Sequence, residues 1–147
     1  MLSLDANILV YAADKSAGVR HAMAAEIVQS AARANASLTE QALFEFFHAS
    51  TRKAKMPFAD ALAIVRELTQ NFSLLFPSRT LIDDTVALLS RHKLSIWDAR
   101  LLAVCDAYGC DYLLSEDLQD GALYGTVRVI NPFAQKNRAQ IRELLGP

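Results

Sequence analysis

The chain has 147 residues, 52% of them hydrophobic and 21% charged, with a formal net charge of −1. That length and balance fit one globular domain with a proper core and exclude a disordered chain. Near-neutrality excludes a global basic field, so contact with nucleic acid must rest on a local patch, although an acidic metal site would itself lower the count. In chain order, Leu2 and Leu4 suffice for a first strand, which ends at Asp5, and Ile8 to Ala13 continue as an apolar stretch able to start a helix. His21 to Ala34 is alanine-rich and helical, and Ala36-Ser37-Leu38 is a second short strand. Thr39 is placed to cap a helix over Glu40 to Lys53, and Pro57 suits the first turn of another over Phe58 to Gln70. Phe72 to Phe76 reads as a strand, Leu81 to Arg91 and Ile96 to Tyr108 as helices, with Gly109 as a C-terminal stop. Asp111 to Ser115 and Thr126 to Ile130 read as strands, and Arg138 to Leu145 as a last amphipathic helix. Strands alternating with helices predict an α/β fold: one domain with a short, mainly parallel central sheet and helices on both faces.

Cys105 and Cys110 stand five apart, which fits neither a C-x-x-C pair nor a disulfide framework. They read as buried small hydrophobes in a reducing, cytoplasmic setting. No apolar run reaches membrane-spanning length, and no charged-then-apolar leader is present, so no membrane association is expected.

Acidic residues carry the functional signal. Asp5 sits at the carboxyl end of a strand, the edge at which open parallel sheets bind ligands. Asp98 opens a helix, where Ser95 three residues earlier also makes a capping-box pattern. Asp117 follows a strand in Ser115-Glu116-Asp117-Leu118-Gln119-Asp120-Gly121, a stretch that equally fits a solvated turn. Pattern does not choose among Glu116, Asp117 and Asp120. Glu45 lies in an apolar helix on a face shared with Gln41, His48 and Arg52, which could simply be the solvated stripe. Glu40 is accounted for as a first-turn acid favoured by the helix dipole.

Converging carboxylates repel unless protons or cations relieve them. Mg²⁺ takes oxygen ligands and keeps several waters, so one or two carboxylates per ion suffice. Zinc is disfavoured, because His21, His48 and His92 are scattered and the cysteines lack ligand spacing. The chain has neither a G-x-S-x-G elbow nor a phosphate-cradling glycine loop. Two basic clusters, Arg52-Lys53-Lys55 and Arg91-His92-Lys93, are candidate phosphate contacts, though cations also collect at helix ends for dipole reasons.

Taken together, four blocks resemble the PIN-domain nucleases, in particular toxins of VapC type from toxin–antitoxin pairs. They are Leu4-Asp5-Ala6-Asn7-Ile8-Leu9-Val10-Tyr11-Ala12, Gln41-Ala42-Leu43-Phe44-Glu45-Phe46, Leu94-Ser95-Ile96-Trp97-Asp98-Ala99 and Leu113 to Gly121. The resemblance spans about residues 2–132 in family order, with Ser115 where many members carry threonine. It implies an α/β/α sandwich and a catalytic, metal-holding set of Asp5, Glu45, Asp98 and Asp117. Asn7 and Ser115, together with Asp120, would orient that set. It further implies Mg²⁺ or Mn²⁺ as cofactor, RNA cleaved by metal-activated water, a protein antitoxin and a homodimer. The apolar helices after Pro57 would serve as the dimer surface or receive the antitoxin.

Two alternatives stay open. A phosphatase of haloacid-dehalogenase type would use Asp5 as nucleophile, but it expects an aspartate where Asn7 stands. A non-catalytic PIN-like binding module would have no reason to tolerate so many neighbouring carboxylates.

Overall fold

The computed structural model describes residues 1–146. Six strands form one sheet: β1 (Leu2–Leu4), β2 (Ser37–Thr39), β3 (Ser73–Leu75), β4 (Tyr112–Leu114), β5 (Leu123–Tyr124) and β6 (Val127–Ile130). Seven α-helices accompany them: α1 (Ala6–Ala13), α2 (Val19–Arg33), α3 (Glu40–Arg52), α4 (Phe58–Asn71), α5 (Leu81–Arg91), α6 (Ile96–Ala107) and α7 (Arg138–Leu145). Sheet order is β3-β2-β1-β4-β6-β5, parallel throughout except for β5, which turns back on β6.

Strands this short hold because both faces are covered, and successive residues show it. Leu114 and Ile130 belong to a core formed with α1, α2, α3, α4 and α7, whereas Leu113 and Val129 belong to a second core formed with α5 and α6. Adjacent residues of one strand point to opposite faces, so two cores imply helices on both sides of the sheet. The expected α/β sandwich is the observed fold. No helix among the described residues is long and apolar enough to cross a membrane.

Helix starts follow their caps. Asp5 accepts from the Ala6 amide at 2.7 Å and sets α1 going two residues before the apolar stretch at Ile8. Thr39 accepts from Ala42 N–H at 3.1 Å at the head of α3, as the sequence predicts. α2 begins at Val19, two residues ahead of the expected His21. β5 was not expected, being two residues long. Its turn needs Gly125, whose φ is +59° and whose missing Cβ leaves room for the Asp106 carboxylate that receives Thr126 N–H at 2.7 Å.

The strand order reverses between β1 and β4: β2 and β3 lie on one side of β1, and β6 and β5 lie beyond β4. At such a switch point the connections leave in opposite directions and open a crevice beyond the carboxyl ends. Asp5 follows β1 there, and Ser115 and Asp117 follow β4.

Candidate active site

Asp5 is 7% exposed, with its backbone N–H bonded to the Leu114 carbonyl at 2.9 Å, so it is fixed by the sheet itself. Its Oδ2 accepts the Ser115 hydroxyl at 2.6 Å and, more weakly, the Asn7 amide at 3.3 Å. Burial pushes the Asp5 carboxyl up to about 6. The hydrogen bonds from Ser115 and Ala6 pull it back down, and the charges of Glu45 and Asp117 add to the rise.

Asn7 links two of the blocks, since the same amide nitrogen reaches Asp117 Oδ2 at 3.0 Å. An ionised aspartate at this position could donate to neither carboxylate. The arrangement therefore disfavours the phosphatase alternative on geometry as well as on motif. The Asn7 Oδ1 atom is buried without a hydrogen-bond partner among the described residues. Ser115 serves twice, donating to Asp5 and accepting from the Asp117 N–H at 3.2 Å.

The three acidic residues after β4, which pattern did not separate, are separated by what they touch. Glu116 turns to an ion pair with Arg20, whose guanidinium stacks 5.3 Å from the Tyr11 ring centre and 5.0 Å from that of Phe133. Burial, then Glu116 beside it, raises the Tyr11 phenol pKa. Asp120 binds Asn131 N–H and Asn137 Nδ2, both at 2.8 Å, and pairs with Lys136 at 2.7 Å. Burial would raise its pKa, but those donors outweigh burial and lower it. Its recorded partners all lie in the segment after β6, so Asp120 fastens that segment to the β4 loop. Asp117 alone of the three faces Asn7.

Glu45 and Asp98 come from the other direction. Ser95 caps α6, accepting from Asp98 N–H at 3.1 Å and donating to Asp98 Oδ2 at 2.7 Å, so the capping reading of this pair holds. Gln41 ties the two blocks together. Its amide nitrogen donates to Glu45 Oε1 at 2.6 Å and to the carbonyl of Trp97, the neighbour of Asp98, at 3.0 Å. Arg100 of α6 holds Gln41 Oε1 at 2.6 Å and pairs with Glu40 at 2.5 Å. The sequence points to Gln41 through its four-residue spacing from Glu45 and its place at the start of the second block, and nothing in it points to Arg100. Glu40 carries this ion pair besides its place in the first helical turn. Replacing Arg100 by methionine strands the Glu40 carboxylate and the Gln41 carbonyl; we expect urea unfolding to show a loss of about 1–3 kcal/mol.

Among the described residues, no three His, Cys, Asp or Glu side chains gather closely enough to hold one ion by themselves. The donor chemistry still suits a hard divalent cation. Asp5 and Asp117 offer oxygen only, are bridged by one amide, and leave Asp5 with carboxylates among its strongest charged neighbours. Two carboxylates completed by water are an ordinary Mg²⁺ environment. The histidines do other work or none here: His21 contacts the Tyr11 carbonyl at 3.1 Å, His92 packs edge-on to Tyr124, and His48 is exposed. Arg52, Lys53 and Lys55 are exposed, as are Arg91 and Lys93, and none forms an ion pair among the described residues.

Fold and site together define a mainly parallel α/β domain with Asp5 and Asp117 joined through Asn7 at its switch point. More specifically, the PIN domain family model matches residues 2–119, and the chain belongs to that family. Solved structures that share the fold include two from toxin–antitoxin systems or toxins. One is a toxin–antitoxin complex from Klebsiella pneumoniae, 20% identical, TM-score 0.65, covering 90% of this chain and 98% of the other. The second is Mycobacterium tuberculosis VapC20, described as a sarcin–ricin loop cleaving toxin, 18% identical, TM-score 0.65, covering 87% and 99%. No curated protein matches the chain.

Proposed function

We propose that this PIN domain is a divalent-metal-dependent endoribonuclease, acting as the toxin of a toxin–antitoxin pair. The observation that carries the reading is the pairing of Asp5 with Asp117 through Asn7 at the switch point, in a chain of the PIN family. Its likeness to VapC20 and to a toxin–antitoxin complex supports the RNA substrate and the antitoxin partner.

Asp5 and Asp117 would hold Mg²⁺ or Mn²⁺, with Glu45 of α3 and Asp98 at the head of α6 completing the acidic set. When bound, such an ion supplies positive charge at the phosphate and lowers the pKa of water. The chain's own contribution is orientation. Ser115 and the Ala6 N–H fix both Asp5 oxygens, Asn7 holds Asp117 against Asp5, and Gln41 fixes Glu45 relative to the head of α6. A homodimer belongs to the same proposal.

The test is direct. Purified protein with Mn²⁺ should cut RNA and should stop when EDTA is added, and induction in cells should arrest growth until a co-encoded small protein is expressed. RNA left whole in Mn²⁺ would remove the enzymatic reading.

A further inference from the structure

The two blocks that Gln41 joins share a feature that the acidic set does not use. Phe44, immediately before Glu45, is 71% exposed, and Trp97, immediately before Asp98, is 63% exposed. Phe58 and Phe76 are also open, but of these rings only Phe44 and Trp97 are each the chain neighbour of a proposed site carboxylate. Gln41 lies on the same turn of α3 as Phe44 and Glu45, and it grips the Trp97 backbone carbonyl, so both residues border one junction of α3 and α6.

From that junction the exposed face of α3 runs Phe44, His48, Arg52 at four-residue steps, which stack along one side of a helix. Lys53 and Lys55 follow, also exposed and without an ion pair among the described residues. Aromatic faces continued by unpaired cations, beside a phosphate-cleaving centre, match what unpaired nucleic acid needs: rings for its bases and cations for its backbone. Protein interfaces also favour aromatic rings and arginine but are depleted of lysine, so Lys53 and Lys55 on this face favour nucleic acid over a protein partner. The aliphatic face of α5, with Ile82 and Val86 exposed, has no ring to stack.

We propose that Phe44 and Trp97 form a base-stacking platform for unpaired RNA flanking the scissile phosphate, with His48, Arg52, Lys53 and Lys55 tracking the backbone away from the site. The proposal rests on the ribonuclease reading and names the form of RNA that the site takes.

Trp97 is the single tryptophan of the chain, so its emission reports on this ring alone. A short unstructured oligoribonucleotide titrated in EDTA, where no cleavage occurs, should quench that emission saturably, and Phe44→Ser should weaken the binding. In Mn²⁺, Phe44→Ser and Trp97→Leu should each raise KM about tenfold with kcat little changed, the usual effect of losing one stacked base. Trp97→Phe should recover most of the loss. Both side chains are exposed, so neither change opens a cavity.

If cleavage proceeds normally in both variants, the platform is overturned while the nuclease reading stands. If RNA quenches Trp97 and Phe44→Ser weakens binding, yet Mn²⁺ brings no cleavage, the rings bind RNA but the nuclease reading falls, and with it the platform's place beside a scissile phosphate. If KM is unmoved and the variants instead change sedimentation from dimer to monomer, the face is a protein interface and the platform is overturned.

Discussion

Asp5→Asn is expected to lower RNA cleavage in Mn²⁺ by at least about a thousandfold, on the order of 4 kcal/mol in the barrier. The substitution keeps the size of the side chain and an oxygen for the Ala6 N–H, so the cap of α1 survives. It removes the charge that a cation would meet at the most buried carboxylate of the set. Asp98→Asn should behave similarly, through the carboxylate at the head of α6. Asp120→Asn is the informative contrast. Its contacts run to Asn131, Asn137 and Lys136, so the variant should lose stability but keep its cleavage rate per folded molecule. Single-turnover cleavage, alongside circular dichroism for folding, separates the three. Full cleavage by Asp5→Asn and Asp98→Asn would remove the site assignment.

The second large effect concerns stability without metal. The Asp5 carboxyl is raised to about 6 in the folded protein from an ordinary value of 3.8. The folded state therefore holds this proton more tightly than the unfolded chain does. The contribution is favourable to folding, is fully present below about pH 4, and is lost as pH climbs through about 6. In EDTA at pH 8, wild type carries a buried charge that hydrogen bonds offset only in part and no cation meets. Asp5→Asn should then be the more stable protein, by about 2 kcal/mol, or on the order of 5 °C in Tm. The difference should vanish towards pH 4. Excess Mn²⁺ should reverse the order at pH 8, because a ligand that binds only the folded wild type stabilises it by mass action. Melting curves at several pH values in EDTA and in Mn²⁺ decide it, and a wild type that stays the more stable protein in EDTA at pH 8 would contradict the account. The same buried charge that weakens the empty domain is the one a cation would use.

The class of fold was legible because its signals are local and periodic. Thr39, Ser95 and Gly109 act on the backbone within a few residues, and their helices begin and end within one or two residues of expectation. Two-residue β5 was not legible, because it exists only by pairing with β6. Among the acidic residues, Asp5 was the plainest, since a strand end in a parallel sheet is a position with a meaning. The loop after β4 was the least plain: Glu116, Asp117 and Asp120 look alike in a chain of letters. They differ in the donors they meet, which come from α2, α1 and the segment after β6.

By itself the sequence determined the α/β class, its PIN-like order of acidic blocks and the oxygen-only chemistry of their side chains, because these depend on residue type and on short-range backbone rules. Only the tertiary structure decided that Asn7 spans Asp5 and Asp117, that Arg100 and Gln41 bind the Glu45 helix to the Asp98 helix, and that Phe44 and Trp97 stand uncovered beside them. Those contacts join residues up to 110 positions apart, and no local propensity encodes which side chains a switch point will bring together.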